Sequence, residues 1–199
     1  QNEYDALIPG YTYFTSRDWY MSSPIFINYS TSELTNIGNS ALTWTLTDRT
    51  ILSAFKNTVQ NSPDLYCIAL DENDPNIVYQ VNCNYEYNED WSIKMVYKEM
   101  SHTIAPGEVL PEKGSEFCYD KTFLTCYYIV DGKLYAYFPL NTTLSFPTSP
   151  VLALNGEQIT SVSLNEASKE LYVGAYNTST KRGSVYIYSS DAMKTNPQP

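Results

Sequence analysis

Two short stretches of this chain carry the residues best suited to holding a ligand. In SRDWY, Arg17, Asp18, Trp19 and Tyr20 follow one another; in NEDWS, Asp90 precedes Trp91, with Tyr87 just upstream. Each stretch sets a carboxylate directly before a tryptophan. An indole offers a flat apolar face and the carboxylate accepts hydrogen bonds, a pairing that suits a sugar ring with its apolar faces and hydroxyl edges. The same aromatics would also serve ordinary strand packing, which they favour. The expectation is that Arg17, Asp18, Trp19, Tyr20, Tyr87, Asp90 and Trp91 contribute to a ligand-binding surface, with Trp19 and Trp91 on one accessible side.

Other chemistries find less support. Glycosidic hydrolysis needs two carboxylates about 5 to 9.5 Å apart, one with a raised pKa. Asp18, Glu86, Glu89, Asp90 and Asp120 are available, and nothing in their spacing brings two together. A nucleophilic triad would have to use His102, the single histidine, read as lying in a Pro- and Gly-rich loop; there is no GxSxG elbow. No catalytic residue is assigned, and the chain is read as non-enzymatic. Asp71, Glu72, Asn73, Asp74 and Asn76 crowd oxygen ligands of the kind calcium takes. Their spacing is not that of an EF-hand, and Asp and Asn are equally the residues of turns. No metal and no cofactor is assigned.

The four cysteines, Cys67, Cys83, Cys118 and Cys126, form no CxxC pair, which argues against a zinc site. A hairpin about Lys121–Phe123 would set Cys118 against Cys126, an arrangement compatible with a disulfide. Cys67 and Cys83 fall on adjacent expected strands, and a tight DENDPN turn would leave them about three residues out of register. Sequons at Asn28, Asn141 and Asn177 would accept glycans in a eukaryotic secretory route. In a chain rich in Asn, Ser and Thr such triplets also arise without meaning.

Composition narrows the partners. The chain has 199 residues, and its 22 acidic residues against 12 Lys plus Arg give a formal net charge of −10. That balance argues against nucleic acid and anionic membrane surfaces. No apolar run approaches the ~20 residues that span a bilayer. No signal peptide is visible, as for any mature or truncated chain. Tyrosine is abundant at 19, beside many Asn, Ser and Thr, a composition frequent in secreted and surface proteins.

These side chains must be positioned by strands. ITSVSL, ELYVGAY and SVYIY alternate apolar and polar residues, the signature of half-buried strands. They are joined by the polar links NEASK and NTSTKRG. Asp131–Gly132 between alternating runs is a two-residue hairpin turn, pairing Ile129 with Leu134 and Tyr128 with Tyr135. DLYCIAL and NIVYQVNCNY flank DENDPN as another hairpin, and Ile93, Met95 and Tyr97 share one face of the strand that follows. Upstream, YTYFT and PIFINY read as short strands. ELTNIGNS reads as a turn-rich link, ALTWTLTD and RTILSAF as a strand pair about Asp48–Arg49, and FKNTVQNS as a helical turn or a loop. SHTIAPGEVLPEKGSE, with two prolines and two glycines, reads as irregular.

The chain is therefore expected to be all-β, built of antiparallel strand meanders in a β-propeller-like arrangement, with a β-sandwich as the alternative. It reads as a single domain over 1–199, with blade-like units roughly at 45–85, 90–138 and 150–188. The second and third units run toward the related motifs GKLYAY and GSVYIY. VDGKLYAYF followed by ITSVSL, ELYVGAYN and GSVYIY resembles the C-terminal end of Bacteroidetes surface lipoproteins classed as PKD-like family proteins. In that family a region resembling propeller blades follows immunoglobulin-like modules. The resemblance covers the last part of the chain well and the middle loosely. Here the chain begins at Gln1, without a lipid-bearing cysteine or immunoglobulin-like modules, as the C-terminal part of a longer chain would. The resemblance implies a cell-surface, periplasmic or secreted location. It also implies a binding role, with extracellular glycan or peptide as ligand and other outer-membrane surface proteins as potential partners; it carries over no catalytic residue. A secreted glycoside-processing enzyme and a structural module of a surface complex are the alternative functions.

Overall fold

The computed structural model describes residues 25–37, 40–56, 65–139 and 142–191, together with the backbone of a short strand at Ala6–Ile8. Among these residues there is no helix and there are fourteen strands: β1 (Ala6–Ile8), β2 (Ile25–Asn28), β3 (Glu33–Asn36), β4 (Thr43–Thr45), β5 (Arg49–Lys56), β6 (Leu65–Asp71), β7 (Ile77–Tyr87), β8 (Ile93–Thr103), β9 (Cys118–Asp120), β10 (Thr125–Val130), β11 (Lys133–Tyr137), β12 (Gln158–Asn165), β13 (Glu170–Asn177) and β14 (Arg182–Ser189). The protein is all-β and its sheets are antiparallel meanders, in which each strand pairs only with its neighbours in sequence. None of the four sheets closes into a barrel. The chain divides into two compact units, Gln1–Ile104 and Ala105–Pro199. The first contains the sheets β1–β4 and β5–β8, the second the sheets β9–β11 and β12–β14.

In the first unit, strand alternation sends every second side chain into the space between two sheets. Ile25, Ile27, Leu34 and Trp44 come from one sheet; Ile51, Leu65, Cys67, Ala69, Val81 and Cys83 come from the other. Burying each large aliphatic side chain stabilises by about 1.5–3 kcal/mol, so this layer is the main source of stability. The outermost strand, β8, is paired with β7 from Ile77↔Thr103 to Tyr87↔Ile93. β8 therefore belongs to the sheet that begins at Arg49, not to a unit over 90–138. At the far end of this sheet Arg49 donates to Glu99 through Nε (2.9 Å) and Nη2 (3.1 Å) and to Asp71 (3.2 Å), with its guanidinium 3.7 Å above the Tyr79 ring. The backbone N–H of Asn73, then that of Asp74, and the Tyr79 hydroxyl and Arg49 hold the Asp71 carboxyl below its usual range.

Two expectations about the strands before β6 fail in this unit. ELTN, read as part of a turn-rich link, is strand β3, paired with β2 on one side and β4 on the other. ALTWTLTD and RTILSAF do not pair with each other: β4 ends one sheet and β5 begins the next. Asp48, with φ 55°, turns the chain between them. YTYFT and FKNTVQNS lie outside the described residues, apart from Phe55 and Lys56 at the end of β5.

In the second unit, the Asp131–Gly132 turn is as read: φ is 48° and 68°, and Ile129 faces Leu134 and Tyr128 faces Tyr135. β12, β13 and β14 form the expected meander. Tyr127, Leu134, Ala136, Ile159, Leu171, Val173 and Tyr188 fill the layer between the two sheets. The opposite face of β10 and β11 is also buried. Tyr128, Tyr135, Tyr137, Phe117 and Phe146 stack there with neighbouring ring centroids 5.3–6.4 Å apart. Glu108 staples the covering loops by accepting from the N–H of Ala105 at 2.7 Å and of Phe146 at 2.9 Å.

Four hairpins use one loop. Asn28, Asp120, Asn165 and Asn177 each accept through Oδ1 from the backbone N–H groups two and three residues on, at 2.9–3.3 Å. The fourth residue after each, Ser32, Leu124, Lys169 or Lys181, has φ between 52° and 60°. The fifth pairs back with the Asx residue. A short polar side chain that bonds its own turn is what makes Asn and Asp turn residues.

Candidate functional site

The strongest candidate is the tip of the β7–β8 hairpin, and its position follows from the core. Trp44 is buried on β4, and its Nε1 donates to the carbonyls of Asn84 (2.8 Å) and Val96 (3.1 Å), which face each other across β7 and β8. Above that clamp the hairpin runs on through Tyr85↔Met95, Glu86↔Lys94 and Tyr87↔Ile93. Tyr85 and Met95 still pack against the core. Beyond them the hairpin leaves it, and Tyr87 is 45 % and Trp91 78 % exposed.

The loop Asn88–Ser92 holds these two rings together. Asn88 N–H donates to the Ser92 carbonyl and Trp91 N–H to the Asn88 carbonyl, both at 2.9 Å. Asp90 Oδ1 accepts from the Ser92 hydroxyl (2.5 Å) and the Ser92 N–H (3.0 Å). These bonds, the hydroxyl first, hold the Asp90 carboxyl below its usual range. The Trp91 ring lies 6.2 Å from Tyr87 at 55°, and Tyr87 meets Tyr85 edge-on at 5.6 Å. Trp91 has φ 65°. Left-handed backbone costs a bulky L-residue about 1–2 kcal/mol, and an exposed indole gains little from burial in return.

The structure thus brings Tyr87, Asp90 and Trp91 together. Asp90 acts first as the brace of the turn, with one oxygen committed to Ser92. Arg17, Asp18, Trp19 and Tyr20 lie outside the described residues. Of the carboxylates considered for hydrolysis, Glu86 and Glu89 are exposed at or beside the same loop, and Asp120 is buried in the second unit with Oδ1 committed to its own turn. His102 is not in a loop: it sits on β8 opposite Val78, because that strand runs to Thr103. In the DENDPN turn, Asp71 Oδ1 accepts from Asn73 and Asp74 N–H, and Asp74 Oδ1 from Asn76. Among the described residues no group of three or more His, Cys, Asp or Glu side chains is placed to hold a metal ion.

The cysteines are four free thiols. Cys118 faces Tyr127 and Cys126 faces Tyr119, so the two are one residue out of register and point to opposite faces of their sheet. The cause is the loop, which closes at Asp120↔Thr125 and contains four residues instead of three. Cys67 faces Val81, leaving Cys83 two residues along and on the same face. Of the sequons, Asn28 and Asn177 are turn-forming residues, and Asn141 lies outside the described residues.

Sequence reasoning missed a cleft of about 460 Å³ in the second unit, lined among others by Glu112, Glu116, Phe117, Ile129, Thr160 and Val162. The irregular loop before β9 carries no pattern that would have announced it. Comparison with known protein families finds no matching family model, and comparison with curated proteins finds no match.

Proposed function

We propose that this is a non-catalytic, cell-surface or secreted binding protein that captures glycan through the tip of the β7–β8 hairpin. One observation carries the reading: Trp91 is 78 % exposed and in left-handed backbone, beside Tyr87. Neither burial nor local conformation accounts for a tryptophan there, whereas contact with a ligand does. The two tilted rings offer apolar surface to a sugar face, and the polar side chains of Asn88, Glu89 and Asp90 offer partners for its hydroxyls. The role agrees with what the resemblance to PKD-like surface lipoproteins implies.

The test is a glycan array on the parent protein, followed by calorimetry on the best ligand with Trp91→Ala and Tyr87→Ala. Losing an aromatic anchor costs about 2 kcal/mol or more, so Trp91→Ala should weaken binding well over tenfold. The melting temperature should not move. A parent that binds no glycan, or a Trp91→Ala variant that binds as tightly as the parent, overturns the proposal. Binding of extended peptides in place of sugars would reassign the ligand class.

A further inference from the structure

The outer face of β13–β14 carries an exposed apolar patch. Val185 faces Gly174 and Ile187 faces Tyr172, opposite in direction to Tyr186 and Tyr188, which turn toward the core. Val185 is 69 %, Ile187 58 % and Tyr176 37 % exposed. Among the described residues β14 has a strand partner, β13, on one side alone. An unpaired edge invites another strand, and proteins blunt such edges with charges, prolines or bulges. Beyond Arg182 at its first residue, β14 carries none of these. GSVYIYSS, 183–190, has no charged residue and no proline, and the β13–β14 ladder runs from Glu170↔Ser189 to Asn177↔Arg182 without a shift in register.

We infer that β14 pairs antiparallel with β14 of a second copy of this chain, giving one six-stranded sheet about a two-fold axis. The strand's own sequence selects the register. Residues directly opposite must project from the same face, so the axis has to pass through a residue and not between two. With the axis at Tyr186, Val185 of each copy lies opposite Ile187 of the other. Lys181 then comes opposite Asp191, once at each end; both are exposed and lie just outside the strand, Lys181 one residue before it and Asp191 two after it. Moving the axis to Val185 sets Ile187 against Gly183, and moving it to Ile187 sets Val185 against Ser189; both lose the Lys181–Asp191 match. Apolar and charge complementarity therefore agree on one register, and it is self-complementary, as a closed dimer requires.

Sedimentation velocity and light scattering across a concentration series test this on the full chain. The expected result is a reversible dimer. Ile187→Lys should raise its dissociation constant about tenfold or more, through loss of two cross-strand apolar pairs. Lys181→Glu and Asp191→Lys should each weaken the dimer, and the double variant should restore it, because the reversed charges again meet across the axis. Circular dichroism and melting confirm that each variant folds. The inference is overturned by a parent that stays monomeric throughout, by an oligomer indifferent to Ile187→Lys, or by a double variant weaker than either single one.

Discussion

The Trp44 indole nitrogen lies 2.8 Å from the carbonyl oxygen of Asn84, forty residues on in the chain. That bond, shared with Val96 at 3.1 Å, joins β4 to the β7–β8 hairpin just below its tip. It sets the level at which the hairpin leaves the core, and so the exposure of Tyr87 and Trp91.

Trp44 and Trp91 should therefore respond oppositely to truncation. Trp44→Ala empties a buried site and should cost about 3–5 kcal/mol. Trp44→Phe keeps much of the volume but loses the N–H, and should cost about 1–2 kcal/mol. Trp91→Ala should stay within about 0.5 kcal/mol of the parent. Chemical denaturation of the three variants measures all of these; a Trp91→Ala variant as unstable as Trp44→Ala would show that the tip is packed.

The shared hairpin loop predicts a graded series. Asn165→Ala removes the acceptor for the N–H groups of Ala167 and Ser168. By analogy with lost helix caps it should cost about 1 kcal/mol. Asn165→Asp keeps the acceptor, as Asp120 does in its own loop, and should be close to neutral. Equal losses for the two substitutions would mean that the side-chain bond is incidental.

The thiols should be inert in the folded protein. Burial first, then Asp120 and Glu166, pushes Cys118 up to about 12, and burial likewise raises Cys67, Cys83 and Cys126. Only the thiolate reacts with iodoacetamide, so at pH 8 alkylation of native protein should be slow at all four positions. Unfolding the never-reduced protein should expose four alkylatable thiols. Recovery of a linked Cys118–Cys126 peptide would contradict the register of β9 and β10.

Lys56 gives a pH dependence with a definite sign. Burial lowers its pKa to about 8, against about 10.4 in an unfolded chain. Between those values the unfolded state binds more protons, so this group makes stability rise with pH. The penalty for burying the ammonium is full below about pH 8 and fades toward pH 10.4. Lys56→Met should raise the melting temperature most at pH 7, with the advantage over the parent shrinking by pH 10. An advantage that widens with pH would refute the assignment.

Much of this fold was legible in short-range pattern. Asp131–Gly132 makes its hairpin because both positions need positive φ, a demand met within two residues. ITSVSL, ELYVGAY and SVYIY pair as neighbours because alternation and the Asn-led loops between them are also local. Where a local signal was absent or misleading, the sequence reading failed. One extra residue in the Lys121–Leu124 loop turned Cys118 and Cys126 to opposite faces. ELTN became a strand because β2 and β4 lay ready on either side of it.

The tryptophans mark the limit most clearly. Trp44 and Trp91 each have a polar residue on either side in sequence, yet one is 1 % and the other 78 % exposed. Alternation determined which residues share a face of a strand, since that follows from backbone geometry alone. What covers the face was decided by tertiary structure: Trp44 is buried by β7 and β8, from another sheet, while Trp91 lies past the last residue pair of its own hairpin, where no core reaches.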